Sequence, residues 1–159
     1  MSFIIIIFVG LNLLLFGLAY LTKRRYGVLG LALAAGSMIS SLWVSDVTPM
    51  LVNVGVTMTR PPLESVVSAG LILLPALLLI TSGPAYLKTP QRVIGALLFA
   101  VFAGVLLLQP LGSALIMEGV GQQVYLFLGQ NRQIIITLCM TAAIIDLLLT
   151  KTPKHIPKH

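Results

Sequence analysis

Few side chains in this sequence can do chemistry, and Asp146 comes first among them. It is a lone carboxylate inside the apolar run AAIIDLLLT (142–150), which leads into the basic tail KTPKHIPKH. An acid in such a run either relays protons or ions, or forms half of a structural ion pair. Asp146 stands five residues before Lys151, about 7.5 Å along a helix. That is near a membrane edge, where the cost falls below the roughly 2.5–3.5 kcal/mol of a charge at the helix centre. Ala142 and Ala143 lie one turn back and Cys139 two turns back, a face of small residues that points toward other helices. The expected partners are Lys23, Arg24 and Arg25, on the same side of the chain's charge pattern. Two uncharged groups join it as intramembrane polar candidates. Asn12 sits midway in the first apolar run and needs a partner on another helix. Gln109 precedes Pro110 in a long apolar run.

Enzyme signatures are absent. His155 and His159 are four apart, but Pro153 and Pro157 break any helix that would align them as metal ligands. Cys139 is the one cysteine, so there is no internal disulfide and no Cys/His metal pattern. No histidine lies in the apolar body to activate a serine or threonine. No Gly-rich loop can cradle a phosphate. The expectation is a protein without catalytic residues, cofactor or metal.

The elements that must position these groups are apolar throughout. Of 159 residues, 58% are apolar and 9% charged, and mean hydropathy is +1.06. A soluble domain carries roughly 25% charged residues, so most of this surface faces lipid. One domain fits the length. The net charge of +6 is spread in small clusters between apolar runs, which suits a membrane face and excludes a nucleic-acid surface. The start, MSFIIIIFVGLNLLLFGLAYL, lacks a basic n-region and an A-x-A site, so it is expected to be a membrane helix and not a cleaved signal.

The fold expected is all-α: a polytopic bundle over residues 1–150 with a short basic tail at 151–159. Five spans are predicted, over about 3–22, 27–44, 63–82, 92–117 and 133–150, with four possible if the first or last lies in the interface. Proline at a first turn marks starts after Thr59 and Thr89, Gly83 marks a stop, and Asn131 is the expected N-cap of the last helix. Eight of the ten cations then fall on one side: Lys23, Arg24, Arg25, Lys88, Arg92, Lys151, Lys154 and Lys158. Arg60 and Arg132 face Asp46, Glu64 and Glu118 on the other. The positive-inside rule puts the protein in the cell membrane with its N-terminus outside and its C-terminus cytoplasmic. Two apolar outer connectors, 46–60 and 118–132, are too short to cross and read as interfacial or re-entrant segments, or as loops packed on helix ends. Pro75 and Pro110 are candidate kinks. Ala32, Gly36 and Ser40, and Ala96, Ala100 and Gly104, form rows of small residues that let helices approach, at the bundle centre or an oligomer seam.

Two stretches resemble the colicin V production protein family of small bacterial inner-membrane proteins. AYLTKRRYGVLGLALAAG (19–36) is similar to its first hairpin, and QRVIGALLFAVFAGVLLL (91–108) to a later helix. The last helix with Asp146 has no clear counterpart in that family. The resemblance implies service to toxin export or envelope integrity, with no catalytic residues. The expected function is therefore a non-enzymatic scaffold or subunit of a bacterial envelope or export assembly. Its partners would be the lipid bilayer, further copies of the chain or other membrane proteins, and no nucleic acid. The alternative is a small oligomeric transporter or channel for an ion or small solute, with Asn12, Gln109 and Asp146 along its path.

Overall fold

The computed structural model describes residues 3–58, 61–80, 85–86, 89–112 and 120–149. Among these residues six helices follow one another: α1 (Phe3–Thr22), α2 (Tyr26–Asn53), α3 (Leu63–Ile80), α4 (Thr89–Gly112), α5 (Val120–Gln130) and α6 (Arg132–Leu148). Among the described residues there is no strand, only an isolated bridge between Arg24 and Ala85. The all-helical membrane-type fold stands in this coarse form. Among the described residues three helices are long and apolar enough to cross a membrane: α2, α3 and the Thr89–Pro110 part of α4.

α4 is the axis. It packs against every other helix, and its residues from Phe102 to Leu108 are all buried. A helix apolar all round is stable only when enclosed. α2 is the second pillar, packed on α3, α6 and α4, whereas α1 leans chiefly on α4. The core joins Leu15 and Ala19 of α1, Leu29 and Leu33 of α2, Ile72 and Ala76 of α3, Phe99, Phe102 and Leu107 of α4, and Cys139 and Ala143 of α6. The outer surface carries Leu13, Leu21, Leu42, Trp43, Leu78, Leu138 and Leu148 in the open. Apolar surface on that scale requires a nonaqueous neighbour.

Two boundaries differ from the sequence expectation. α2 does not stop near Val44; it runs through Pro49 to Asn53. Proline forfeits one backbone hydrogen bond, and a long helix tolerates that loss. The true stop is a Schellman turn. Gly55 takes φ +94°, its N–H donates to the carbonyl of Val52, and the Val56 N–H donates to Leu51. The first part of the supposed outer connector 46–60 is thus helix. In the second connector, 118–132, residues Val120–Gln130 form α5. Asn131 holds the N-cap position of α6 but makes no side-chain cap there. Its amide donates instead to the carbonyl of Phe127, finishing α5. Pro75 and Pro110 lie inside α3 and the last turn of α4. The expected signals at Thr59 and Gly83, and Arg60, Lys88, Glu118 and the 151–159 tail, lie outside the described residues.

Glycine decides how closely the pillars approach. A Cβ on Gly36 would run into the backbone carbonyl of Ile72 on α3. One turn on, the Ser40 and Ser68 hydroxyls share a hydrogen bond of 2.7 Å. Gly70, by contrast, has open space where a Cβ would go. Gly36→Ala is expected to lose about 1–3 kcal/mol by overpacking. Gly70→Ala should be neutral or gain up to about 1 kcal/mol from helix propensity. Unfolding in mixed micelles measures both, and equal effects would show that the α2–α3 contact is looser than described.

Candidate functional site

Helix ends need partners for their unpaired backbone groups, and lipid supplies none. At one end of this bundle the partners come from neighbouring elements. α1 ends because Lys23 takes the left-handed conformation, φ 58°. The chain then turns through Arg24 and Arg25 into α2. Arg25 occupies the N-cap position with extended backbone and gives no side-chain cap of its own. Two other residues take the first N–H groups of α2. The Asp146 Oδ2 accepts from Gly27 N–H at 2.9 Å, and the Tyr86 hydroxyl accepts from Tyr26 N–H at 3.1 Å.

Asp146 is also the ion-pair partner of Arg25. The guanidinium Nη2 donates to Oδ1 at 3.1 Å and to the backbone carbonyl of Asp146 at 3.0 Å. Both side chains are nearly enclosed, 16% and 17% exposed. Thus one carboxylate holds the positive end of α2, and one guanidinium holds the negative end of α6. Both placements suit the helix dipoles. α2 and α6 reach each other because Gly27 and Gly30 lie against Ala143. Two turns before Asp146, the Tyr26 hydroxyl donates to the carbonyl of Cys139 at 2.9 Å.

The remaining ends follow the same rule. Arg24 Nε donates to the carbonyl of Ile80, the last residue of α3, at 2.9 Å. Arg92 Nη2, from α4, donates to the carbonyl of Tyr20 in the last turn of α1 at 2.8 Å and stacks 4.6 Å over the Tyr20 ring. Tyr86 ties the plate together. Its N–H donates to the carbonyl of Lys23 at 2.7 Å, Arg25 lies 5.4 Å from its ring centroid, and its ring fills the space that a side chain at Gly95 would need. Burial pushes its phenol up to about 12, and the Asp146 carboxylate adds to the rise while the Tyr26 N–H and Arg25 oppose it.

A scan against protein-family models matches none, and searches of the curated proteins and of the solved structures find no match. The site is therefore read from its own geometry.

Of the residues singled out in the sequence, the structure brings Asp146, Arg24 and Arg25 to this plate. It does not bring Asn12 or Gln109 there. Asn12 is half-buried in α1, its side-chain oxygen set against Gly104 of α4. Gln109 is exposed near the far end of α4, about 25 Å along the helix from Arg92. The three polar groups stand at three levels. Ala32, Gly36, Ser40, Ala96 and Gly104 are buried and Ala100 is half-buried. The α2 row faces α3 at Gly36 and Ser40, and the α4 row meets α1 at Gly104. Among the described residues no group of His, Cys, Asp and Glu could hold a metal. His155 and His159 lie outside the described residues. Tyr26, Tyr86 and Arg92 were missed as site residues. The available signal was two tyrosines and an arginine flanking the same predicted turns as the cation cluster.

Removing one member of the Asp146–Arg25 pair leaves the other charge nearly enclosed. Fully buried pairs cost roughly 3–5 kcal/mol when broken; with the residual exposure here, Asp146→Ala or Arg25→Ala should each cost about 2 kcal/mol. The double variant should cost less than the sum of the singles, and strict additivity would rule out the coupling. Tyr86 offers an independent readout. Its raised value means the fold favours the neutral phenol, a contribution present below pH 10 and lost as pH rises toward 12. An alkaline absorbance titration, wild type minus Tyr86→Phe, should show the midpoint near 12. Asp146→Asn should lower that midpoint.

Proposed function

We propose that the protein is a non-enzymatic multi-pass membrane scaffold, a subunit of an envelope or export assembly. The observation that carries this reading is the engagement of Asp146. Its two carboxylate oxygens hold Arg25 and the start of α2, so its charge is spent on joining α6 to the α1–α2 turn. A relay needs polar groups within reach of one another along a path, whereas Asn12 lies against Gly104, Gln109 is exposed near the far end of α4 and Asp146 is on the plate. The resemblance of residues 19–36 and 91–108 to the colicin V production family points the same way. Partners would be other membrane proteins or a second copy, meeting the bundle through its lipid-facing helices.

Within this reading α1 and α6 join α2, α3 and α4 as spans, giving five. Support comes from the plate, where the ends of α1, α3 and α6 and the starts of α2 and α4 are cross-linked by side chains. By the positive-inside rule the cations gathered there favour a cytoplasmic plate and an N-terminus outside. α5 and residues 54–58 then lie at the outer interface.

Purified protein in liposomes is expected to move no ion or solute, while a mild-detergent pull-down recovers a fixed partner or a defined oligomer. Flux that disappears in Asp146→Asn would sink the scaffold and establish a transporter. Cysteines placed at Ser2 and Thr57 should react with an impermeant thiol reagent on intact cells. Reaction at Lys154 would overturn the five-span orientation.

A further inference from the structure

We propose that the plate binds the phosphate of an anionic phospholipid between the end of α1 and the start of α4, on Tyr20, Lys23 and Arg92. The charges there are unbalanced within the protein. Among the described residues, Lys23, Arg25 and Arg92 gather at one end with one carboxylate, Asp146, and that carboxylate holds Arg25. Lys23 is exposed, and Arg92 is half-buried. Neither has a carboxylate partner among the described residues. Among the described residues Arg92 meets the Tyr20 carbonyl and the Tyr20 ring, both uncharged, and its Nε has no hydrogen-bond partner there.

The two cations share one neighbourhood. Arg92 reaches across to Tyr20, three residues before Lys23, and the Lys23 carbonyl accepts the N–H of Tyr86, six residues before Arg92. The positive φ of Lys23 turns the chain out of α1 at this point. Stacking on Tyr20 fixes the plane of the guanidinium, and a fixed fork suits the paired oxygens of a phosphodiester. Tyr20, itself stacked on Phe16 with ring centroids 6.3 Å apart, is the kind of aromatic that sits at headgroup depth. A zwitterionic headgroup brings its own cation and gains less here. An anionic one supplies the missing negative charge.

The inference rests on the membrane placement proposed above, with the plate at headgroup level. The test titrates the full chain in mild detergent with short-chain phosphatidylglycerol, phosphatidylcholine and inorganic phosphate, counting bound molecules by native mass spectrometry. Phosphatidylglycerol should bind about tenfold tighter than phosphatidylcholine, and inorganic phosphate should not displace it. Lys23→Gly is the cleanest variant, because glycine accepts the left-handed backbone without strain. It should weaken phosphatidylglycerol about fivefold and leave phosphatidylcholine unchanged. Arg92→Lys keeps the charge without the fork and should lose less than Lys23→Gly. Equal binding of the two lipids, or a Lys23→Gly protein that binds like its parent, overturns the site while the membrane placement stands. Displacement by inorganic phosphate overturns the lipid as ligand. Binding of neither lipid removes the site, while the membrane placement stands or falls on the cysteine labelling.

Discussion

A helix that starts at a bilayer edge presents N–H groups that lipid does not accept, and at the start of α2 Asp146 accepts one of them. The carboxylate reaches Gly27 from a helix more than a hundred residues later in the chain. Arg25 closes the loop by holding the carboxylate and the carbonyl of the same residue. The rest of the plate depends on this exchange. It fixes where α6 crosses α2, and so which residues need to be small. A Cβ on Gly27 would run into the Ala143 carbonyl and Leu147, and one on Gly30 would press on Ala143. A charge at that depth is costly alone and tolerable as half of a hydrogen-bonded pair at a helix terminus.

The cations of this end have one job that the geometry shows, and under the proposed topology a second. A cytoplasmic face would favour lysine and arginine for reasons of insertion. Helix C-termini favour them for reasons of dipole and unpaired carbonyls. Arg24 meets the last carbonyl of α3, Arg25 a carbonyl near the end of α6, and Arg92 one in the last turn of α1. The anion meets an N-terminus and the three guanidiniums meet C-terminal carbonyls, although Arg25 and Arg92 themselves stand at the starts of α2 and α4. Charge counting sees only the distribution; the geometry adds the second reason for it.

Polar groups elsewhere in the bundle serve contacts and stay apart. Asn12 lies against Gly104, Ser40 shares a hydrogen bond with Ser68, and Thr137 and Thr141 bond back to their own helix. Helix association in lipid relies on close packing and on such hydrogen bonds, because apolar contact alone gives no advantage over lipid. The small-residue rows of α2 and α4 are used inside the chain, at α3 and α1.

Composition and hydropathy by themselves determined the class: a chain so apolar and so poor in charge can only bury its backbone as helices that face lipid. Periodicity placed most of the helices, and the short distance from Asp146 to Lys151 placed the acid near an edge beside the cluster at 23–25. Helix ends were less legible. The second helix was expected to end near Val44 and runs on through Pro49, because a single lost hydrogen bond is a small defect in a long helix, while Gly55 supplies the left-handed residue at its actual stop. What only the tertiary structure decided is who partners whom. Three neighbouring cations were equivalent as partners for Asp146, and the placement of Tyr86 and Arg92 beside the same turns did not say what they would hold. Those choices follow from which helix ends meet in space, and that depends on side chains brought together from distant parts of the chain.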